Sequence, residues 1–101
     1  MPMQYRHGDV LVQKVSRLPG NAKKLKHVTL AEGEVTGHSH RIQDKSTAEM
    51  YRANDELYLK VTAASAKLIH EEHATIELPR GVYKTWRQRE YTPERIVYVR
   101  D

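Results

Sequence analysis

The sequence predicts an all-β fold, a small single-domain barrel or compact sandwich with at most one short helix. Three observations predict it. Turn signals (Gly8-Asp9, Pro19-Gly20-Asn21, Gly33, Gly37, Asn54-Asp55, Pro79-Arg80-Gly81) punctuate the whole chain. Short β-branched or aromatic runs lie between them. Leu57, Leu59 and Val61 alternate with Tyr58, Lys60 and Thr62, the clearest two-residue period in the chain.

The elements follow in order. Residues 10–15 make the first strand, with Val10 and Val12 on one face. Residues 28–31 make a second, ended by Gly33. Ser46-Thr47-Ala48-Glu49 has capping-box spacing, but Asn54-Asp55 interrupts any helix soon after. The preferred reading there is a hairpin, residues 49–52 turning back into 57–61. Residues 75–78 form a strand that stops at the Pro79-Arg80-Gly81 turn. Residues 82–91 form a longer one, with Tyr83, Thr85, Arg87 and Arg89 on one face and Val82, Lys84, Trp86 and Gln88 on the other. Thr92-Pro93-Glu94 permits a single helical turn. Residues 96–99 close the chain as a last strand.

Composition narrows the function. The 101 residues, 11.7 kDa, hold one domain over residues 1–101 with a thin core. Pairing into a homodimer would bury more apolar surface. The absence of Cys excludes disulfides, thiolate metal sites and a thiol nucleophile. No run approaches the ~20 apolar residues of a membrane span, and residues 1–6 carry no apolar signal core, so the expected location is cytoplasmic. The net charge of +4 is too small by itself to show a nucleic-acid partner. Two basic stretches invite one: Lys23-Lys24-Leu25-Lys26-His27, and Arg80, Lys84, Arg87 and Arg89 interleaved with Tyr83, Trp86 and Tyr91. The favoured reading of the second makes Trp86 the main core residue of a chain without Phe, with the arginines solvated outside.

Four of the six histidines stand in two blocks, His38-Ser39-His40 and His70-Glu71-Glu72-His73. In a strand, His38 and His40 point the same way. His70 and His73 converge only if a bulge or turn forms at Glu71-Glu72. His-Glu-Glu-His lacks the spacing of the zinc-protease helix. Without sulfur, four imidazoles suit a divalent transition metal: zinc, iron, nickel or manganese. The metal ligands are then His38, His40, His70 and His73, with Glu72 or Glu71 as a further ligand or general base. Arg41 and Arg89 are candidates for holding a small polar or anionic molecule. Two other readings stay open. One is a nucleic-acid-binding or RNA-processing module using metal-free histidine acid–base chemistry. The other is a scaffold or phage-related interaction protein whose histidines only pack. His7 and His27 look isolated and are left out of the site.

The blocks Arg6-His7-Gly8-Asp9-Val10-Leu11, Gly33-Glu34-Val35-Thr36-Gly37-His38-Ser39-His40, His70-Glu71-Glu72-His73, Leu78-Pro79-Arg80-Gly81-Val82-Tyr83 and Gln88-Arg89-Glu90-Tyr91-Thr92-Pro93-Glu94 span nearly the whole chain. Together they resemble a family of small uncharacterised bacterial and phage proteins, which brings no activity with it. More remotely, Gly33, His38, His40 and Asp44 resemble the first cupin motif. Pro79-Arg80-Gly81 resembles the second, but Lys84 stands where its histidine belongs. That likeness implies histidines pointing into a barrel and no particular reaction.

Overall fold

Two strands of 15 residues, β7 (Glu56–His70) and β8 (His73–Arg87), form the spine of the molecule as one long hairpin. A computed structural model describes residues 4–32 and 37–87, and the backbone of 89–91 and 96–98. Gly33, the Thr92-Pro93-Glu94 turn and the Arg89 side chain lie outside the described residues. The other strands are β1 (Gln4–His7), β2 (Val10–Val15), β3 (Lys23–Lys24), β4 (Thr29–Glu32), β5 (Ser39–Ile42), β6 (Ala48–Ala53), β9 (Arg89–Tyr91) and β10 (Ile96–Tyr98). The main sheet runs β1-β2-β8-β7-β5-β4, with β6 on β7 and β3 on β6. β9 and β10 make a separate pair. Every pairing is antiparallel. The sheet curls into a half-barrel. Among the described residues no helix is long and apolar enough to cross a membrane.

The curl has a local cause. Val61 pairs with Gly81 and Ser65 with Pro79, so residues 62–64 of β7 oppose Arg80 alone. Extra residues on one strand bend it and increase its twist. Arg80 Nε donates to the Ala63 carbonyl across the bulge at 3.2 Å. The expected turn at Pro79-Arg80-Gly81 is therefore absent. A proline has no N–H for a ladder, and a bulge is a place where none is needed. β8 runs straight through.

Other local signals resolve in the same way. Asn54 and Asp55 have φ of 53° and 64°, as the two-residue turn between β6 and β7 requires. The capping-box signal yields one 3-10 turn, Lys45–Thr47, capped by Asp44, whose side chain accepts from the Ser46 amide at 2.9 Å. Asp44 thus serves the backbone of its own turn.

Register fixes which side chains face inward. His7 pairs with Val10, Val12 with Thr85, Leu59 with Tyr83, Met50 with Leu59 and Ile42 with Leu68. These partners share the concave face. Val10, Val12, Met50, Leu59, Leu68, Leu78 and Tyr83 there are essentially sealed from solvent. Among the described residues Tyr83, not Trp86, is the largest fully buried side chain. Its hydroxyl donates to the Pro79 carbonyl, and burial pushes the phenol up to about 12. Trp86 falls on the convex side and is half-buried, with Lys84 Nζ 5.9 Å from its ring centre. The expected faces of β8 are right in alternation and reversed in direction: Tyr83, Thr85 and Arg87 take the concave side.

Candidate metal centre

The concave face changes character at one end, where its inward positions are His7, His40, His70 and His73. β7 and β8 are joined there by Glu71-Glu72 alone, and His70 pairs directly with His73. That two-residue turn supplies the convergence that the His-x-x-His spacing needs. β5 packs on β7 with Arg41 opposite Ile69 and Ile42 opposite Leu68, which carries His40 to His70. The His40 and His70 rings are 4.4 Å apart, His70 and His73 4.7 Å, and His40 and His73 5.5 Å. His38 reaches the cluster from outside, with its ring 5.7 Å from His70.

One ligand atom from each of His40, His70 and His73 lies within 4.8 Å of the other two. His38, His70 and Glu71 form a second such group through the shared His70. The cluster therefore could hold a metal ion. Gly8 makes room for it. Gly8 is buried at φ 64°, and a β-carbon there would stand 2.6 Å from His73 Nε2 and 3.0 Å from His40 Cε1. Gly37, by contrast, has open space around it.

His7 corrects the sequence reading, which set it aside. It is 2% exposed and sits under His40. Its Nε2 lies 2.9 Å from the Ala74 carbonyl, so that nitrogen donates. In the neutral ring Nδ1 then accepts, and its neighbour at 2.9 Å is His40 Nδ1. With His7 neutral, His40 donates from Nδ1 and keeps its lone pair on Nε2. Burial, with the neighbouring His70 and His7, lowers the His40 pKa to about 4, against an upward pull from Asp9. At neutral pH His40 is uncharged and its Nε2 is an unprotonated donor atom. The His70 pKa is lowered as well, first by burial and then by His73. His70 Nδ1 accepts the Glu72 amide at 2.9 Å.

Charged groups ring the cluster. Asp9 Oδ1 is 3.6 Å from His40 Nε2, and Asp9 Oδ2 is 2.9 Å from Arg87 Nε. Arg41 pairs with Glu71 at 2.8 Å, and the Ser39 amide donates to the same carboxylate at 3.1 Å. The Arg41 guanidinium and the backbone amides hold Glu71 down at about 2. Glu72 is largely exposed, 3.9 Å from His38 Nδ1, a buried nitrogen with no hydrogen-bond partner among the described residues. His27 lies elsewhere on the surface, its Nδ1 accepting the Thr29 amide.

The structure thus brings together His38, His40, His70 and His73, with Glu71, Glu72 and Arg41 at the rim. Gly8, Asp9 and Arg87 reach the same place, and the sequence reading gave them no part in it. The available signal was Gly8-Asp9, a two-residue hairpin turn that puts His7 opposite Val10. No curated protein and no solved structure matches the chain. The family described as "Domain of unknown function (DUF8820)" matches residues 6–88, the greater part of the sequence, and the protein belongs to that family.

Proposed function

We propose that the protein binds a divalent transition metal through His40, His70 and His73, and that the open side of this centre accepts a small polar or anionic molecule. The observation that carries the reading is the convergence of three imidazoles around a wholly buried His40 whose ligand atom is unprotonated at neutral pH. An all-nitrogen set without thiolate suits zinc, iron and nickel, and an added carboxylate suits manganese. Three histidines with a position left open is the arrangement of catalytic rather than closed structural sites. Such an ion would act as a Lewis acid and lower the pKa of a bound water.

The chain's own residues then have separate roles. His7 is a positioning residue: it fixes the His40 tautomer and ring, as the outer partner of a metal-ligating histidine does. His70 Nδ1 accepts the Glu72 amide, so the neutral ring carries its hydrogen on Nε2, and an ion held at Nε2 would require that hydrogen to move to Nδ1 and the amide contact to be given up. Glu71, held near pKa 2 by Arg41, is a poor base and a good clamp. Glu72, beside His38 at the rim, is the better placed proton acceptor. Arg41, with one side bound to Glu71, orients an anion only through its remaining N–H groups.

Elemental analysis of untagged protein tests the reading, with thermal melts in zinc, nickel, iron(II) and manganese. About one metal per chain, or a rise of several degrees in Tm with one of these ions, is expected. Less than about 0.1 metal per chain together with no Tm change for all four would defeat it.

A further inference from the structure

We propose that the cleft between residues 24–29 and the 3-10 turn Lys45–Thr47 is a second binding site, and that it takes a small organic anion, a carboxylate or phosphate group carried on an apolar body. None of the residues lining it belongs to the histidine centre.

The cleft follows from how β7 is flanked. Residues 56–61 of β7 pair with β6, whereas Leu68 and Ile69 pair with β5. Between those two pairings the chain leaves β5, makes the 3-10 turn and enters β6. The segment after β3 bridges the same interval. It is tied to β6 where the Leu25 amide donates to the Met50 carbonyl at 2.8 Å, and to β5 where the Ile42 amide donates to the Val28 carbonyl at 3.0 Å. A cleft of about 500 Å³ lies between this segment and the turn. Small-molecule sites span about 300–1,000 Å³. Its apolar lining is Leu25, Val28, Ala48 and Met50. Ala48 and Met50 are buried, and Leu25 and Val28 pack on the core. The apolar wall is thus held by the core and needs no ligand to form it.

The polar lining suits negative charge. Lys24, Lys26, His27 and Lys45 face it, with Glu49 as the one acid among the described lining residues. Glu49 is spent on both oxygens: Lys24 Nζ lies 3.2 Å from Oε2, and the Tyr51 hydroxyl donates to Oε1 at 2.7 Å. The hydroxyl hydrogens are spent too. Ser46 donates to Asp44 at 2.7 Å, and Thr62 donates to the Thr47 carbonyl at 3.3 Å. His27 Nδ1 accepts the Thr29 amide, so the neutral ring carries its hydrogen on Nε2. Lys26 and Lys45 have no carboxylate partner among the described residues. The hydrogens left for a ligand are therefore on nitrogen, and two of the groups bearing them are full cations. A carboxylate or phosphate satisfies such donors through charge-assisted hydrogen bonds. The apolar wall buries the body that carries it. The basic stretch Lys23–His27 thus gathers Lys24, Lys26 and His27 on one cleft rather than along an extended track, which favours a small anion over a nucleic-acid strand.

Amide chemical shifts of the full chain, titrated with benzoate, phenyl phosphate, benzyl alcohol and inorganic phosphate, test this. Benzoate or phenyl phosphate should shift the amides of residues 24–29 and 45–50, and the tighter of the two identifies the anionic group. Benzyl alcohol and inorganic phosphate each lack one half of the ligand and should bind about tenfold more weakly. Lys26→Gln and Lys45→Gln combined in one chain should weaken binding about tenfold. Thr62→Tyr, which fills the cleft from an exposed position, should weaken it by a similar factor. No shift of these amides by either aromatic anion up to about 10 mM would overturn the proposal. So would wild-type affinity in either variant, or equal binding of inorganic phosphate, which would reduce the site to exposed charge. Shifts confined to the amides around His40, His70 and His73 would place the anion at the other centre. Tighter binding of a single-stranded oligonucleotide at the same amides would make the surface a nucleic-acid contact and overturn it too.

Discussion

Gly8 is fitted against His73: a β-carbon at position 8 would stand 2.6 Å from His73 Nε2. The clash falls on the far end of an exposed side chain, so the imidazole moves rather than the sheet. Gly8→Ala should therefore cost about 1–2 kcal/mol, mostly the left-handed backbone strain, and should displace one metal ligand. Gly37→Ala carries similar strain at φ 87° with nothing nearby. The expected outcome is a similar fall in urea midpoint for both variants, and lost Zn²⁺ affinity for Gly8→Ala alone. Equal affinity in the two would show that the cradle has no part in binding.

Below His40, His7 supplies the acceptor for a buried N–H. His7→Ala leaves His40 Nδ1 unpaired, at about 1–3 kcal/mol, and frees the His40 ring to turn. Loss of such an outer partner weakens metal binding about 10–100-fold. His7→Gln can return a carbonyl acceptor and should recover part of both. Denaturant titration of the metal-free protein and calorimetry of the loaded protein measure the two effects separately. Wild-type Zn²⁺ affinity in His7→Ala would refute the positioning role.

The His-x-x-His block was legible because it needs only local geometry, a two-residue turn, whereas the strand period did not hold for His-x-His: His38 precedes β5 and lies near His70 rather than in the group with His40. His7 was not legible. Its strand is four residues long and mostly polar, and its inward direction follows only from pairing β1 to β2 and β2 to β8. β8 shows the complementary limit. Alternation separated Trp86 from Arg87 correctly, but the period does not say which side is concave, and a one-residue choice reverses the whole strand. The presence of Asp9 and Arg87 at the centre depends on that direction.

The lowered His40 and His70 pKa values give stability a definite pH dependence. The unfolded chain takes up protons near 6.5, whereas folded His40 resists down to about 4. More protons bind to the unfolded state in that interval, so stability is greatest above pH 6.5 and falls as pH drops toward 4. A shift of this size corresponds to ~3 kcal/mol for His40, and His70 adds in the same direction. Urea midpoints of metal-free protein at pH 7.5, 5.5 and 4.5 should decrease in that order. In His40→Asn the slope should be much reduced. A flat profile in the wild type would mean that His40 is charged in the folded protein.

Arg41 and Glu71 act as one unit across the mouth of the centre. The Glu71 carboxylate takes both the Arg41 guanidinium and the Ser39 amide, and so ties the β7–β8 turn to the segment carrying His38 and His40. Arg41 in turn donates to the Ser39 carbonyl at 2.9 Å. Removing either partner should loosen the same segment, so Arg41→Ala and Glu71→Ala should reduce Zn²⁺ affinity by similar factors, about 3–10-fold. The double variant should be little worse than either single one. Because Glu71 is held near 2, its clamp keeps full strength above the ordinary carboxylate range and is lost only as pH falls toward 2. Its contribution is thus constant over the upper part of the histidine interval and starts to fall only where pH reaches the ordinary carboxylate value of 4.5. Multiplicative losses in the double variant would show instead that Arg41 and Glu71 act on the metal independently, with Glu71 then a ligand in its own right through the group it forms with His38 and His70.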